Sequence, residues 1–122
     1  MPQTADFTAV FAQLKGLLVP YAGRLIVKAD DPGNYCLNTP YAERYKRELL
    51  FGAAQVKKRY VSYYLLPIYV FPDLTQGMAP VLRARMQGKS CFNFTAVDEH
   101  LLGLLARLTE RGFDRFVAEQ LV

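Results

Sequence analysis

The chain has 122 residues, the length of one domain, which should bury roughly two thirds of the surface that its unfolded form exposes. We therefore expect a single domain over residues 1–122. With 52% hydrophobic and 21% charged residues, the composition excludes disorder for nearly the whole chain. It has neither a run of about 18 apolar residues that could span a bilayer nor the pattern of an export signal, so we expect a cytoplasmic protein with no membrane partner.

The first third of the chain predicts a helix followed by a β-hairpin. Residues 4–19 place apolar side chains at intervals of three and four, as an amphipathic helix does, with Thr4 as its cap. Residues 24–29 alternate like a strand, and the sequence Asp-Asp-Pro-Gly at 30–33 is a strong turn signal. The second strand of the hairpin is expected at residues 35–39.

Two further strands are expected in the middle of the chain. Residues 48–56 form a short apolar segment, and the basic residues 57–59 supply the turn after it. Residues 60–69 are the most β-prone stretch, with aromatic and aliphatic side chains on both faces, which predicts a central strand covered on both sides. Pro67 cannot donate a backbone hydrogen bond, so strand pairing should lapse near it.

The next segment predicts a short basic helix, a glycine stop and a strand. A proline fits the first turn of a helix at about 79–87, and Gly88 can adopt the left-handed conformation that ends helices. Residues 90–94 then alternate, so that Phe92 and Phe94 fall on one face of a strand.

The last quarter of the chain predicts a long helix and completes an α+β fold. Thr95 and Asp98 have the spacing of a capping box and precede a leucine-rich series, so this helix should begin near residue 96. Gly112 is expected to end or kink it, with a final short helix after it. Helices at both ends of the chain and strands joined by short turns predict a two-layer sandwich: an antiparallel sheet of about five strands with the N- and C-terminal helices on one face.

The cysteines and the histidine argue against a metal site. Cys36 and Cys91 lie far apart in the sequence, and each is expected inside a strand among apolar neighbours as a reduced, buried thiol. A zinc site needs more ligands at closer spacing, and His100 is the only histidine. We therefore expect no structural metal and no cofactor.

One basic cluster, Arg83, Arg85 and Lys89, is the strongest candidate for a ligand site. The net charge of +4 predicts weak attraction to anions. Such clusters usually mark solvated turns and helix faces. If this cluster is instead a binding site, its ligand should be an anion. The sequence Gly88-Lys89-Ser90 is not the end of a P-loop, because Arg83 stands where that motif needs its first glycine and a strand follows where it needs a helix.

Tyrosines along the predicted strand at 60–69 allow several interpretations. Core packing is favoured, whereas a self-association surface, which would make a homodimer, and a small-ligand cleft that includes Tyr63 are the alternatives. A platform for single-stranded nucleic acid needs exposed rings along one sheet face. Both faces of this strand look apolar, so nucleic acid is not an expected partner.

A resemblance to a known family rests on residues 82–94, Leu-Arg-Ala-Arg-Met-Gln-Gly-Lys-Ser-Cys-Phe-Asn-Phe. Together with the Tyr-Tyr-Leu-Leu-Pro-Ile-Tyr stretch before them and the leucine-rich helix after them, these residues resemble the YdhG-like family of small bacterial domains of unknown function. The resemblance follows most of the chain in order. It implies a frataxin-like fold, and since some members are described as frataxin-like iron chaperones, it also implies iron binding.

The charge pattern favours a different function. Iron on a frataxin-like surface would be held by clustered carboxylates, whereas the predicted first helix offers only Asp6. The main hypothesis is a non-enzymatic binding or interaction module for an anionic small molecule or a protein partner. The alternatives are a frataxin-like iron-binding chaperone and a small enzyme with a pocket near Lys89 and His100. The enzyme would require Lys89, Cys91 and His100 to converge within hydrogen-bonding distance.

Overall fold

The computed structural model describes residues 7–122, which form an α+β fold. Thr4, the expected cap, and the start of the predicted first helix lie outside the described residues. Short 3-10 helices at Val19–Arg24 and Pro72–Thr75 accompany the main elements. In chain order these are α1 Thr8–Leu18, β1 Ile26–Asp31, β2 Asn34–Asn38, β3 Leu50–Val56, β4 Val61–Leu65, α2 Pro67–Val70, α3 Pro80–Arg83, β5 Met86–Gln87, β6 Cys91–Phe94 and α4 Glu99–Ala118.

The strands form one antiparallel sheet in the order β1-β2-β3-β4-β6-β5. The expected hairpin of β1 and β2 is confirmed, but its turn is shorter than predicted. Asp30 and Asp31 belong to β1, and Asp31 pairs with Asn34. Only Pro32 and Gly33 remain in the turn, where Gly33 has a φ of 83° that glycine adopts without the Cβ clash of other residues.

Both terminal helices pack against the same face of the sheet, which we call the helix-covered face. Leu18 of α1 lies over Gly52 of β3, where an added Cβ would come within 2.7 Å of its side chain. Thr109 of α4 contacts Tyr63 of β4, and the registers place both strand residues on one face. Fully or nearly fully buried strand residues on this face are Tyr35, Leu37, Ala54, Val61, Tyr63, Leu65, Phe92 and Phe94.

A β-bulge at Phe51 supplies the centre of this packing. Leu37 pairs with Gly52 while Asn38 pairs with Leu50, so Phe51 is an extra residue in β3, and a bulge re-aims a side chain. Its fully buried ring lies 5.8 Å from those of Tyr21 and Phe113 and 5.9 Å from that of Phe116, measured between centroids. The bulge therefore joins β3 to α4 and to the 3-10 helix after α1.

The opposite face of the sheet is polar, which corrects the expectation that the strand after residue 60 is apolar on both faces. Ser62 and Tyr64 of β4 point to this polar face. Gln55 donates to Asn34 (3.2 Å) and Ser62 to Asn93 (2.8 Å), so amides and a hydroxyl satisfy one another across the strands.

The two cysteines also lie on the polar face, as free thiols within strands. Each is half-buried rather than fully buried. Cys36 pairs with Ala53, which pairs with Tyr64, which pairs with Cys91. Three strand spacings separate the thiols by roughly 14 Å, too far for a disulfide. Partial burial raises the pKa of both thiols, so they are poor nucleophiles near neutral pH.

The predicted strand at 60–69 is too long. β4 ends at Leu65, and Pro67 begins the short helix α2, because proline tolerates the first helical turn and cannot pair within a sheet. Tyr69 is consequently a helix residue, and its side chain is 55% exposed. The apolar composition of this stretch could not separate a strand from a short buried helix.

The predicted basic helix at 79–87 is also too long. α3 ends at Arg83, and Met86 and Gln87 form the edge strand β5, which pairs with β6. Gly88, with a φ of 80°, lies in the turn of that hairpin and is not a helix stop. The strand at 90–94 is confirmed in β6, including the burial of its two phenylalanines.

Helix α4 is continuous from Glu99 to Ala118, which corrects the stop or kink expected at Gly112. Asp98 is its N-cap, and its carboxylate accepts from the Leu101 N–H at 3.1 Å, so the helix starts three residues later than expected. None of the helices within residues 7–122 is long and apolar enough to cross a membrane.

Gly112 is required by a close contact between helices. A Cβ at this position would lie 2.9 Å from the Cβ of Pro67 and 3.1 Å from its Cγ, and a proline ring has little freedom to move away. The glycine thus allows α2 to rest directly on α4.

We predict that Gly112→Ala lowers the free energy of unfolding by roughly 1–2 kcal/mol, because overpacking at Pro67 exceeds the gain in helix propensity. Gly103→Ala is the matched control in the same helix, since a Cβ there meets nothing within 4 Å. It should stabilise the protein by about 0.5–1 kcal/mol. Urea denaturation measures the free energy of unfolding of both variants. Equal stabilisation by the two substitutions would show that a Cβ at position 112 does not clash with Pro67.

Candidate functional site

A cleft of about 860 Å³ lies among the 41–47 loop, α2, the 3-10 helix at Pro72–Thr75 and the β5–β6 turn. We call it the basic cleft. Arg83 and Lys89 supply its charged groups, and Tyr45 and Tyr69 supply its aromatic ones. Among the described residues, its lining contains no acidic side chain. The cleft therefore presents positive charge beside aromatic surface.

The two cations are held differently. Arg83, at the end of α3, donates from Nη2 to the Thr75 carbonyl oxygen at 2.9 Å, so its guanidinium is tethered beside the cleft and keeps its other N–H groups. Lys89 follows Gly88 in the tight β5–β6 turn, is exposed, and forms no ion pair or side-chain hydrogen bond within residues 7–122. A ligand would therefore not have to displace an acidic side chain of residues 7–122 from its ammonium group.

The remaining lining is largely apolar. Ile68 is only 2% exposed, and Val70 and Met86 are partly buried against the core. Tyr45 and Tyr69 are 37% and 55% exposed, so their rings are accessible to a ligand. Apolar walls with a few polar groups that fix orientation are the usual composition of a small-molecule site.

Local sequence explains how the aromatic groups reach the cleft. Pro67 starts α2, and successive positions of this turn bury Ile68 while leaving Tyr69 exposed. Tyr45 lies in the 41–47 loop, which an isolated bridge between Ala42 and Arg47 closes.

The acid next to the cleft is paired with a cation of α4. Asp73 follows the lining residue Pro72, and its carboxylate accepts from Arg115 Nη1 at 2.8 Å. That hydrogen bond is the main reason why the pKa of Asp73 is lowered. The Arg115 guanidinium lies 4.3 Å from the ring centroid of Phe71, a cation–π contact that helps to hold it. Arg83 and Lys89 therefore do not pair with Asp73.

The structure brings together two of the four residues singled out in the sequence. Arg83 and Lys89 both line the basic cleft. Arg85 is exposed but lies outside the lining. Tyr63, the fourth ligand-binding candidate, is fully buried and is not among the residues that line the cleft. Sequence reasoning missed Tyr45, whose loop carries no recognisable pattern, and placed Tyr69 on a strand.

The side chains of the alternative catalytic centre do not form a connected group. Lys89 lines the basic cleft, Cys91 is half-buried on the polar face, and His100 is exposed in the first turn of α4. No hydrogen bond joins any two of them in the described part of the chain. Residues 7–122 also contain no group of three or more His, Cys, Asp or Glu side chains that could hold a metal ion.

Comparisons with known proteins identify no relative: no family model, no curated protein and no solved structure matches this chain.

The hydroxyl of Tyr63 belongs to a buried chain of hydrogen bonds between the sheet and α4. Its oxygen lies 2.6 Å from the Thr109 hydroxyl, which donates its own proton to the Leu105 carbonyl at 2.8 Å. Tyr63 is therefore the donor to Thr109. Burial raises the pKa of Tyr63 well above its usual range.

We predict that Tyr63→Phe costs about 1 kcal/mol of stability, the net value of one hydrogen bond. Thr109→Val should cost more, roughly 1–3 kcal/mol, because it leaves the buried Tyr63 O–H without an acceptor. A double-mutant cycle in urea measures their coupling. Additive effects of the two substitutions would show that the hydroxyls do not interact.

The raised pKa of Tyr63 also predicts loss of stability in alkali. The phenol keeps its proton in the folded protein, whereas in the unfolded chain it ionises above about pH 10. Stability is thus fully present below that pH and falls above it, by about 1.4 kcal/mol per pH unit for one such group. Tyr63→Phe should show a smaller fall than the wild type. If the free energies of unfolding of the wild type and of Tyr63→Phe fall equally with pH, the raised pKa does not belong to Tyr63.

Proposed function

We propose that this protein is a non-enzymatic binding module of the cytoplasm, and that its basic cleft binds a small organic anion with an aromatic or apolar body. The observation that carries the proposal is the joint presence of Arg83, Lys89, Tyr45 and Tyr69 around one cleft whose lining has no acidic side chain. A YdhG-like affiliation with a frataxin-like fold remains part of this proposal and rests on the sequence resemblance alone.

The charges favour an anion over a neutral ligand. Arg83 retains N–H donors beyond its bond to Thr75, and a guanidinium can bind a carboxylate or phosphate through two parallel hydrogen bonds. Lys89 adds a second positive charge at the same cleft. Each cation would lose part of its hydration on binding, and an anionic group compensates that cost.

The size and lining favour a small molecule. A volume of about 860 Å³ falls within the range of about 300–1,000 Å³ of small-molecule sites. The exposed rings of Tyr45 and Tyr69 offer flat surfaces for an aromatic group. Ile68, Val70 and Met86 would contact the apolar part, so the ligand should be amphipathic rather than a simple inorganic ion.

Neither iron binding nor catalysis has a comparable observation in its favour. Asp30 is paired with Lys15 at 2.8 Å and Asp98 caps α4, so these acids already have structural roles. Lys89 has neither Cys91 nor His100 as a hydrogen-bond partner.

We predict that aromatic anions such as naphthoate and phenyl phosphate bind the protein, whereas neutral naphthamide binds at least about ten-fold more weakly. Isothermal titration calorimetry measures the affinities. Lys89→Gln should weaken the binding of naphthoate by roughly three- to ten-fold, and added salt should weaken it further by screening.

Arg85→Gln is the matched control, because it removes one positive charge close in sequence but outside the cleft. It should leave the affinity nearly unchanged. If Lys89→Gln and Arg85→Gln weaken binding equally, the attraction is a general effect of net charge and the basic cleft is not the site.

A further inference from the structure

Helix α4 carries a row of arginines that the basic cleft does not use. Arg107, Arg111 and Arg115 are spaced four residues apart, which places them one above another on one face of the helix. Like charges at this spacing repel one another, so such a row favours bound carboxylates.

Arg115, at one end of the row, already forms ion pairs with carboxylates of this protein. Arg115 binds Asp73 at 2.8 Å and Glu119 at 3.0 Å. The side chains of Arg107 and Arg111 make no ion pair or hydrogen bond with any residue in the described range 7–122. The charge of Arg111 acts on Asp73 only as the smallest contribution to its lowered pKa, of which the hydrogen bond from Arg115 is the largest.

These two arginines line a small apolar groove between α4 and the segment that precedes α3. The groove has a volume of about 220 Å³ and no acidic side chain among its described lining residues. Gly77 contributes open space, since a Cβ there would meet nothing within 4 Å. The apolar walls are formed by Leu74, Met78, Leu82, Leu104 and Leu108.

We propose that this arginine groove is a second ligand site, which binds a small carboxylic acid with a compact aliphatic or aromatic group. Arg107 and Arg111 would bind the carboxylate, with the geometry that a guanidinium offers to two oxygens, and the leucine-lined walls would take the apolar group. The volume is below the range of drug-sized ligands, so the ligand should have few non-hydrogen atoms.

The proposal does not rest on the function assigned to the basic cleft. The 3-10 helix at Pro72–Thr75 separates the two sites, with Thr75 lining the basic cleft and Leu74 lining the groove. No lining residue is shared between them. Each site can therefore be tested by itself.

The test is an NMR titration of the full chain with isocaproate, followed through backbone amide shifts. We expect a dissociation constant on the order of 1 mM, as befits so small a ligand. The amides that shift should belong to residues 74–82 and 104–111 and not to the β5–β6 turn. Isocaproamide, which lacks the charge, should bind about ten-fold more weakly or worse.

Arg107→Gln and Arg111→Gln should each weaken the binding of isocaproate by at least about five-fold, with Arg85→Gln as the charge-matched control outside the groove. The amide shifts of the free variants report whether they keep the fold. The proposal is overturned if isocaproamide binds as well as isocaproate, if the shifts map elsewhere, or if the arginine variants match the control. The proposal is also overturned if isocaproate at about 10 mM, ten times the expected dissociation constant, causes no amide shifts.

An N-acetylated tripeptide ending in leucine tests the other source of the same chemistry. We expect it to bind no better than isocaproate, because the groove accommodates only the terminal group. If the peptide binds more than about ten-fold tighter, a peptide C-terminus replaces the small acid as the ligand of the groove.

Discussion

The packing of Phe51 is the interaction on which the rest of the structure depends. One extra residue in β3 turns its ring toward the helices, where it meets Tyr21, Phe113 and Phe116 at centroid distances of 5.8 to 5.9 Å. Aromatic pairs in such tilted and edge-on arrangements add to the burial of their area. Gly52, next to this ring, leaves the space that Leu18 fills, so α1 and α4 can both lie close to the centre of the sheet.

This packing also determines where the two proposed sites lie. α4 passes beneath α2 at Gly112, and the missing side chain there brings Pro67 against the helix. α2 in turn fixes Ile68 and Tyr69 at the basic cleft. Arg111 and Arg115 of α4 lie beside the segment that follows α2. One helix thus supports a wall of the cleft and supplies the cations of the groove, which explains why the two sites lie back to back.

Much of the fold could be predicted because the decisive interactions are local. Pro32 and Gly33 specify a tight turn, the alternation at β6 buries Phe92 and Phe94, and the apolar face of α4 follows its helical period. The errors fall where non-local contacts overrule local preference. Residues 84–87 suit a helix, but Met86 and Gln87 gain hydrogen bonds by extending the sheet beside β6.

The residues of the candidate sites also fall into two groups, those that the sequence indicated and those that only the structure revealed. Charge alone indicated Arg83 and Lys89, together with Arg85, since cationic side chains are exposed in almost any fold. Tyr45 and the Arg107–Arg111 pair became apparent only from the assembled chain, whereas the burial of Tyr63 agrees with the core packing that its sequence favoured. The sequence by itself determined the α+β class, the hairpin and the basic character of the protein, because these follow from local turns, periodicity and composition. The tertiary structure alone decided which side chains share a cleft, because that depends on contacts between residues distant in the sequence, such as Gly112 with Pro67.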